Sequence, residues 1–156
     1  MTKTNDYISQ DARQDYDQLL NALLPFAQQM LEKHGEFHPF GAAMMAGGEI
    51  VAAAGYDGTE HPSPEQIVSL LIDGFKADAG KGKIRAAGIC INASIQAIDS
   101  KKRLDAVQVS LDHTVGEPMD LYLPYRRGFL GRYSYGEIKA NVGSLSIFPE
   151  FSGDAA

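Results

Sequence analysis

The sequence predicts an α+β fold in which a single antiparallel sheet of about five strands carries helices packed on one face. Three observations support this prediction: two segments have apolar residues at helical spacing, three later segments alternate apolar and polar residues, and a glycine-containing hairpin lies between the two helices. The predicted order is α-β-β-α-β-β-β. We expect one domain over residues 1–156, with mobile tails at 1–10 and 151–156.

The first helix is predicted from Asp11 to about Lys33, and it is followed by Gly35, a residue typical of helix C-termini. Pro25 lies inside the pattern and lacks a backbone donor, so we expect either a kink or two shorter helices. The apolar positions that define this helix are Tyr16, Leu19, Leu20, Leu23, Leu24, Ala27, Met30 and Leu31.

A β-hairpin follows, with strands at 41–46 and 49–56 and two glycines at its turn. The second helix begins after Ser63, which can cap its backbone donors. Pro64 suits the first helical position, and Gln66 completes a capping box. The apolar stripe of this helix consists of Ile67, Val68, Leu71, Ile72 and Phe75.

Three strands with a period of two residues complete the pattern, each with one core face and one wet face. The core faces are predicted to hold Ala87, Ile89, Ile91, Ala93 and Ile95, then Val107, Val109 and Leu111, then Met119, Leu121 and Leu123. The wet faces are predicted to hold Cys90, Asn92, Ser94 and Gln96, then Gln108, Ser110 and Asp112. Weaker strand signals cover residues 132–138 and 144–148.

This succession of elements resembles the profilin-like and roadblock-like group of small sensor and scaffold domains, over about residues 1–125. The segment LLPFAQQMLEKHGEFHPFGAAM, which contains HGEFHPFG, also resembles the start of a group of small uncharacterised bacterial proteins. The first resemblance implies a profilin-like sheet. The second implies kinship without an activity.

Composition excludes several classes of protein. The 20 acidic and 14 basic side chains give a net charge of −6, which disfavours nucleic acid and anionic membranes as partners. A single cysteine excludes an intramolecular disulfide and a zinc site built on several cysteines. With no apolar run long enough to span a membrane and no apolar signal core at residues 1–18, a cytoplasmic location is expected.

No catalytic residue and no cofactor is predicted. Cys90 lies in the middle of a predicted strand between isoleucines, where a small buried or half-buried hydrophobe is expected rather than an activated thiolate. No Gly-x-Ser-x-Gly motif occurs, and residues 80–83 lack the spacing of a phosphate-binding loop.

The densest cluster of metal-ligating residue types is HGEFHPFG. His34, Glu36 and His38 are two residues apart, so an extended chain would project all three to one side, where they could bind zinc or a related ion. The competing interpretation is structural. In it, Phe37 and Phe40 attach the helix to the sheet, and the histidines are a helix cap and a surface residue.

A basic and aromatic segment near the C-terminus contrasts with the acidic chain. Arginine and tyrosine dominate binding hot spots, although the same mixture could bind an anion or single-stranded nucleic acid, or form a solvated hairpin. The predicted partner-binding residues are Tyr125, Arg126, Arg127, Phe129, Arg132, Tyr133 and Tyr135.

These features favour a non-enzymatic interaction module whose partner is another protein or a second copy of the chain. A specific version is an immunity-type protein that blocks a toxin by surface complementarity. The alternative is a metal- or small-ligand-binding sensor or enzyme that uses His34, Glu36 and His38.

Overall fold

The computed structural model describes residues 10–54, 62–96 and 101–149. Within them the chain forms two α-helices and one antiparallel sheet of seven strands. The elements are α1 (Gln10–His34), β1 (Phe40–Met45), β2 (Ile50–Ala54), α2 (Pro64–Gly80), β3 (Ile84–Gln96), β4 (Arg103–His113), β5 (Met119–Arg127), β6 (Tyr133–Tyr135) and β7 (Lys139–Val142). The strand order in the sheet is β2-β1-β3-β4-β5-β6, with β7 paired to β5. The α+β class is confirmed, and the sheet exceeds the predicted five strands. The predicted mobile tails lie outside the described residues, apart from Gln10, which begins α1.

Both helices have the ends that their sequences predict. The Ser63 hydroxyl accepts a hydrogen bond from the Gln66 backbone N–H, and the Gln66 side chain accepts one from the Ser63 N–H. Gly35 ends α1 at φ 77°, and its N–H donates to the carbonyl of Leu31.

Pro25 lies within one continuous helix, so the alternative of two shorter helices is wrong. Of the helices described, none is long and apolar enough to cross a membrane.

The two helices lie on opposite faces of the sheet, not on one face as predicted. Ala42 packs with α1, whereas its neighbour Ala43 packs with α2. In β3, Cys90 faces α1 and Ile89 faces α2, so Cys90 is fully buried on the face predicted to be wet. The inner half of β3 is therefore core on both sides. Within β3, the predicted alternation of a core face and a wet face holds only from 91 to 96, where half-buried and exposed residues alternate.

Each helix is seated against a glycine of a central strand. A Cβ atom at Gly88 would lie 2.8 Å from the side chains of both Leu23 of α1 and Leu111 of β4. A Cβ atom at Gly41 would lie 3.0 Å from the ring of Phe75 of α2 and 2.7 Å from the carbonyl oxygen of Gly88. Because these distances are shorter than normal packing contacts, a larger residue at Gly41 would push against the backbone of β3, and one at Gly88 would force the side chains of Leu23 and Leu111 to shift.

The segment after β7 is held by a buried carboxylate rather than by a sheet ladder. The strand predicted at 144–148 is wrong: Ile147 and Phe148 are buried beside α2, and their backbone N–H groups donate to Oδ2 of Asp112 at 2.9 and 3.0 Å. Oδ1 of Asp112 accepts from the N–H of His113 at 2.9 Å. Asp112, predicted to face water, is fully buried because it receives these donors.

Substitution of Asp112 by alanine should therefore be costly. Three buried backbone donors would lose their acceptor, and we expect a loss of about 3 kcal/mol in the free energy of unfolding. The measurement is urea denaturation at neutral pH. Asp105→Ala on the same strand, where the side chain is exposed, is the control and should change stability by less than about 0.5 kcal/mol. Equal effects of the two substitutions would contradict the assigned role.

Candidate functional site

The hairpin of β5 and β6 ends in a turn that presents two large apolar side chains to solvent. Its turn is closed by the Gly128 N–H, which donates to the Arg132 carbonyl at 2.7 Å. Between them Phe129 is 86% exposed and Leu130 is 79% exposed. Leu130 also has φ 62°, a left-handed conformation that costs a residue with a side chain about 1–2 kcal/mol. Exposure and backbone strain coincide at this turn, which is typical of a functional loop.

Three exposed arginines flank these apolar residues. Arg126 pairs with Ser134 and Arg127 with Tyr133, so their side chains leave the strand on opposite faces. Within the described chain, none of the three guanidinium groups forms an ion pair. The exposed residues of this hairpin, which we call the hairpin tip, are Arg126, Arg127, Phe129, Leu130 and Arg132.

The three predicted tyrosines attach the hairpin to the rest of the protein. Tyr125, Tyr133 and Tyr135 are half-buried against the cluster around α1. The Tyr125 hydroxyl donates to Oδ1 of Asn92 at 2.6 Å, and the Tyr135 hydroxyl donates to Oε2 of Glu32 at 2.9 Å. Burial raises the pKa of both phenols, and the Glu32 carboxylate raises that of Tyr135 further. These tyrosines position the hairpin tip rather than form its exposed surface.

The three residues predicted to bind metal do not assemble. His34, Glu36 and His38 are all exposed, and among residues 10–54, 62–96 and 101–149 no group of three or more potential ligand side chains could hold a metal ion. Between them Phe37 is buried, and its ring meets that of Phe40 at 5.7 Å between centroids, as the structural interpretation requires.

A groove lies beside this segment, on the side of the α2 N-terminus. Its volume is about 720 Å³, and its walls include Glu36, His38 and Glu65, together with Ile91 and Asn92 of β3. Asn92 also receives the Tyr125 hydrogen bond. The two regions singled out in the sequence therefore lie at the same end of the molecule.

A second cavity, of about 390 Å³, lies between α2, the sheet and residues 144–146. Its polar lining includes Gln108, Ser110 and Asp120, and its apolar wall includes Ile72 and Ile89. Oδ1 of Asp120 is buried and accepts no hydrogen bond from the described residues. Such an acceptor is costly unless a donor satisfies it.

A buried polar cluster joins residues that sequence reasoning did not bring together. Asp15 of α1 is 4% exposed; its carboxylate accepts two hydrogen bonds from Arg85, at 2.9 and 3.0 Å, and lies 2.7 Å from Nε2 of His113. Nδ1 of His113 accepts from the Val115 N–H at 3.1 Å, so the proton in the contact with Asp15 is assigned to Nε2. Because both ring nitrogens are engaged, His113 ties α1 to β4 and is not available as a general base. The sequence holds no signal for this cluster, since its members are 70 and 98 residues apart.

The cluster predicts a pH dependence of stability. Burial alone would raise the pKa of Asp15, but hydrogen bonds from Arg85 and His113 and the Arg85 charge outweigh it, so this pKa is lowered. The contribution of Asp15 to the free energy of unfolding is therefore fully present above the unfolded-state pKa of about 3.9. It is lost as the pH falls through the lower folded-state pKa.

In urea titrations, Asp15→Asn should lose about 2–3 kcal/mol at pH 7, and the difference from the wild type should shrink below about pH 4. Asp17→Asn, at an exposed position of the same helix, should show neither effect. A constant difference between wild type and Asp15→Asn down to pH 3 would disprove the linkage.

Cys90 does not extend this set of functional candidates. Its thiol is fully buried, and burial raises its pKa, which disfavours the nucleophilic thiolate. The interpretation of Cys90 as a small buried hydrophobe is confirmed.

Comparison with protein-family models, curated proteins and solved structures gives no match. The resemblances to profilin-like domains and to a group of small bacterial proteins therefore remain predictions. Any functional conclusion depends on the geometry of the chain itself.

Proposed function

We propose that this protein is a non-enzymatic interaction module that binds an acidic protein partner through its hairpin tip. The observation that carries the proposal is the exposure of Phe129 and Leu130 beside arginines that have no ion pair within the described residues. Large exposed apolar side chains flanked by arginine are the usual composition of a binding hot spot.

The chemistry of the tip defines the partner. Burial of Phe129 and Leu130 at an interface would contribute about 1.5–3 kcal/mol each. The arginines would form charge-assisted hydrogen bonds with carboxylates, which favours an acidic surface and speeds association at low salt. Against an anionic membrane the same arginines would act within a chain of net charge −6, which opposes adsorption.

The base of the hairpin supports the proposal because it is held in place before binding. Tyr125 and Tyr135 fix the two strands to Asn92 and Glu32. A tip that is already positioned loses less conformational entropy on binding than a free loop.

Site-specific photo-crosslinking in cells tests this function. A photoreactive phenylalanine analogue at position 129 should yield a discrete protein adduct. The same analogue at Val142, which is 72% exposed on β7, should not yield that adduct. Charge reversal at Arg127 and Arg132 should abolish the adduct, because it replaces attraction to carboxylates with repulsion.

Binding to the partner identified in this way should weaken about 30-fold or more in the Phe129→Ser, Leu130→Ser double variant, and Val142→Ser should leave it unchanged. If position 129 gives no adduct, or if the full chain instead sediments with phosphatidylserine vesicles through this tip, the proposal is wrong.

A second candidate function, binding of a small ligand, is favoured by the buried and unpaired Oδ1 of Asp120 beside a cavity. Cavities of this size with a few converging polar groups are typical of ligand sites. Native mass spectrometry of gently purified protein should then show a bound small molecule that is lost in Asp120→Ala. The molecule should be retained in Asp105→Ala. Identical spectra for the wild type and both variants would argue against the candidate.

A further inference from the structure

The edge strand β2 lacks the protection that edge strands usually carry. It lies at one end of the strand order, and its sequence from Ile50 to Ala54 is IVAAA, with no charge and no proline. Charges, prolines or bulges normally prevent exposed edges from pairing with another chain. At the far side of the sheet, by contrast, β7 begins with Lys139. Among residues 10–54, 62–96 and 101–149, β1 is the only strand that pairs with β2, so within them its outer edge can accept a further strand.

The hydrogen-bonding pattern of the hairpin shows which backbone groups are available. The Met45 N–H donates to the Glu49 carbonyl at 2.7 Å, which makes these residues a hydrogen-bonded pair. Because such pairs alternate with non-hydrogen-bonded ones, the N–H and C=O groups of Ile50, Ala52 and Ala54 point away from β1. The outward-pointing residues are therefore symmetric about Ala52.

An apolar groove accompanies this edge on the α1 face of the sheet. Its volume is about 430 Å³, and Leu23 and Phe26 of α1 line it together with Phe40, Ile50 and Ala52. Phe26 remains 46% exposed, and Val51, on the other face of β2, is 51% exposed. The edge thus combines open backbone groups with apolar surface that an additional strand and helix would bury.

This surface is uncharged in an otherwise charged protein. No Asp, Glu, Lys or Arg occurs in residues 18–31 of α1 or in residues 39–48 and 50–54. Two copies of a chain with net charge −6 repel one another, so they associate best where neither presents charge. A neutral surface also offers nothing to attract an oppositely charged partner.

We propose that two copies of this chain associate through β2, which pairs antiparallel with its own copy about a two-fold axis at Ala52. In this register Ala52 faces Ala52 of the second copy, and Ile50 faces Ala54. Three hydrogen-bonded pairs then exchange about six backbone hydrogen bonds. Isologous contacts of this kind are self-complementary, which matches the symmetry of the outward-pointing groups.

The charges that border the strand are compatible with this pairing. Glu49 precedes β2 and lies three residues from the axis at Ala52. The two Glu49 side chains would then stand about 20 Å apart along the strands, at about 3.3 Å per residue. That separation exceeds the screening length of about 8 Å at physiological ionic strength, so their repulsion is small.

This inference is independent of the proposed function, because none of the hairpin-tip residues belongs to β2 or lines its groove. A dimer formed through β2 would carry two hairpin tips and could bind a partner with increased avidity. Loss of the dimer and loss of partner binding are therefore separate outcomes.

Sedimentation analysis of the full chain over a dilution series tests the association. The wild type should be a dimer, and Ala52→Lys should raise the dissociation constant at least about 100-fold, because two ammonium groups would face each other at the axis. The matched control is Ala140→Lys, at an exposed alanine of β7, which should remain dimeric. Circular dichroism should show that both variants are folded.

Disulfide trapping tests the register. Hydrogen-bonded antiparallel residues have Cα atoms about 5.5 Å apart, within the range that a disulfide spans. Under mild oxidation, Ala52→Cys should give a cross-linked dimer and Ala140→Cys should not, while the buried Cys90 does not interfere. A wild type that is monomeric throughout the dilution series, or equal cross-linking of the two variants, would overturn the proposal.

Discussion

Burial of β1 and β3 on both faces is the constraint on which the rest of this structure depends. Gly41 and Gly88 allow α2 and α1 to approach the centre of the sheet from opposite sides. With both faces covered, the strands contain apolar residues there, and alanines and a cysteine are among those that occupy their middle. Polar side chains are displaced to the periphery, and the surfaces available for binding are the sheet edges, the hairpin and the outer part of the α2 face.

Two buried carboxylates attach the outer segments of the chain to this central part of the sheet. Asp112 ties the segment after β7 to the α2 face through backbone donors, and Asp15 ties α1 to β3 and β4 through Arg85 and His113. Each carboxylate is saturated by donors from elements distant in sequence, so each would be costly to remove and is poorly suited to act on a substrate. Asp112 and Asp15, whose carboxylates could in principle take part in catalysis, therefore have a structural role in the folded protein.

The surfaces that remain differ in character, and this difference separates the two proposals. The hairpin tip is basic and apolar in an acidic protein, which suits a partner of opposite charge. The β2 edge is neutral and rich in backbone donors and acceptors, which suits an identical chain. A module that pairs through one surface and recognises a partner through the other would present two tips in a single assembly, with the gain in effective concentration that this implies.

The sequence by itself determined the elements whose signals are local: the capping box at Ser63, the glycine after α1, the glycine turn of the hairpin and the positions of β3, β4 and β5. It also located the exposed arginines and Phe129. Only the tertiary structure decided that the helices cover opposite faces, that Asp112 is buried, that residues 144–148 form no strand, and that His34, Glu36 and His38 form no metal-binding group with one another or with other described residues. The reason is physical: caps and turns are set by neighbouring backbone groups, whereas burial and convergence depend on contacts between residues far apart in the sequence, by 35 and 36 positions for Asp112 and by 70 and 98 for Asp15, which no local pattern records.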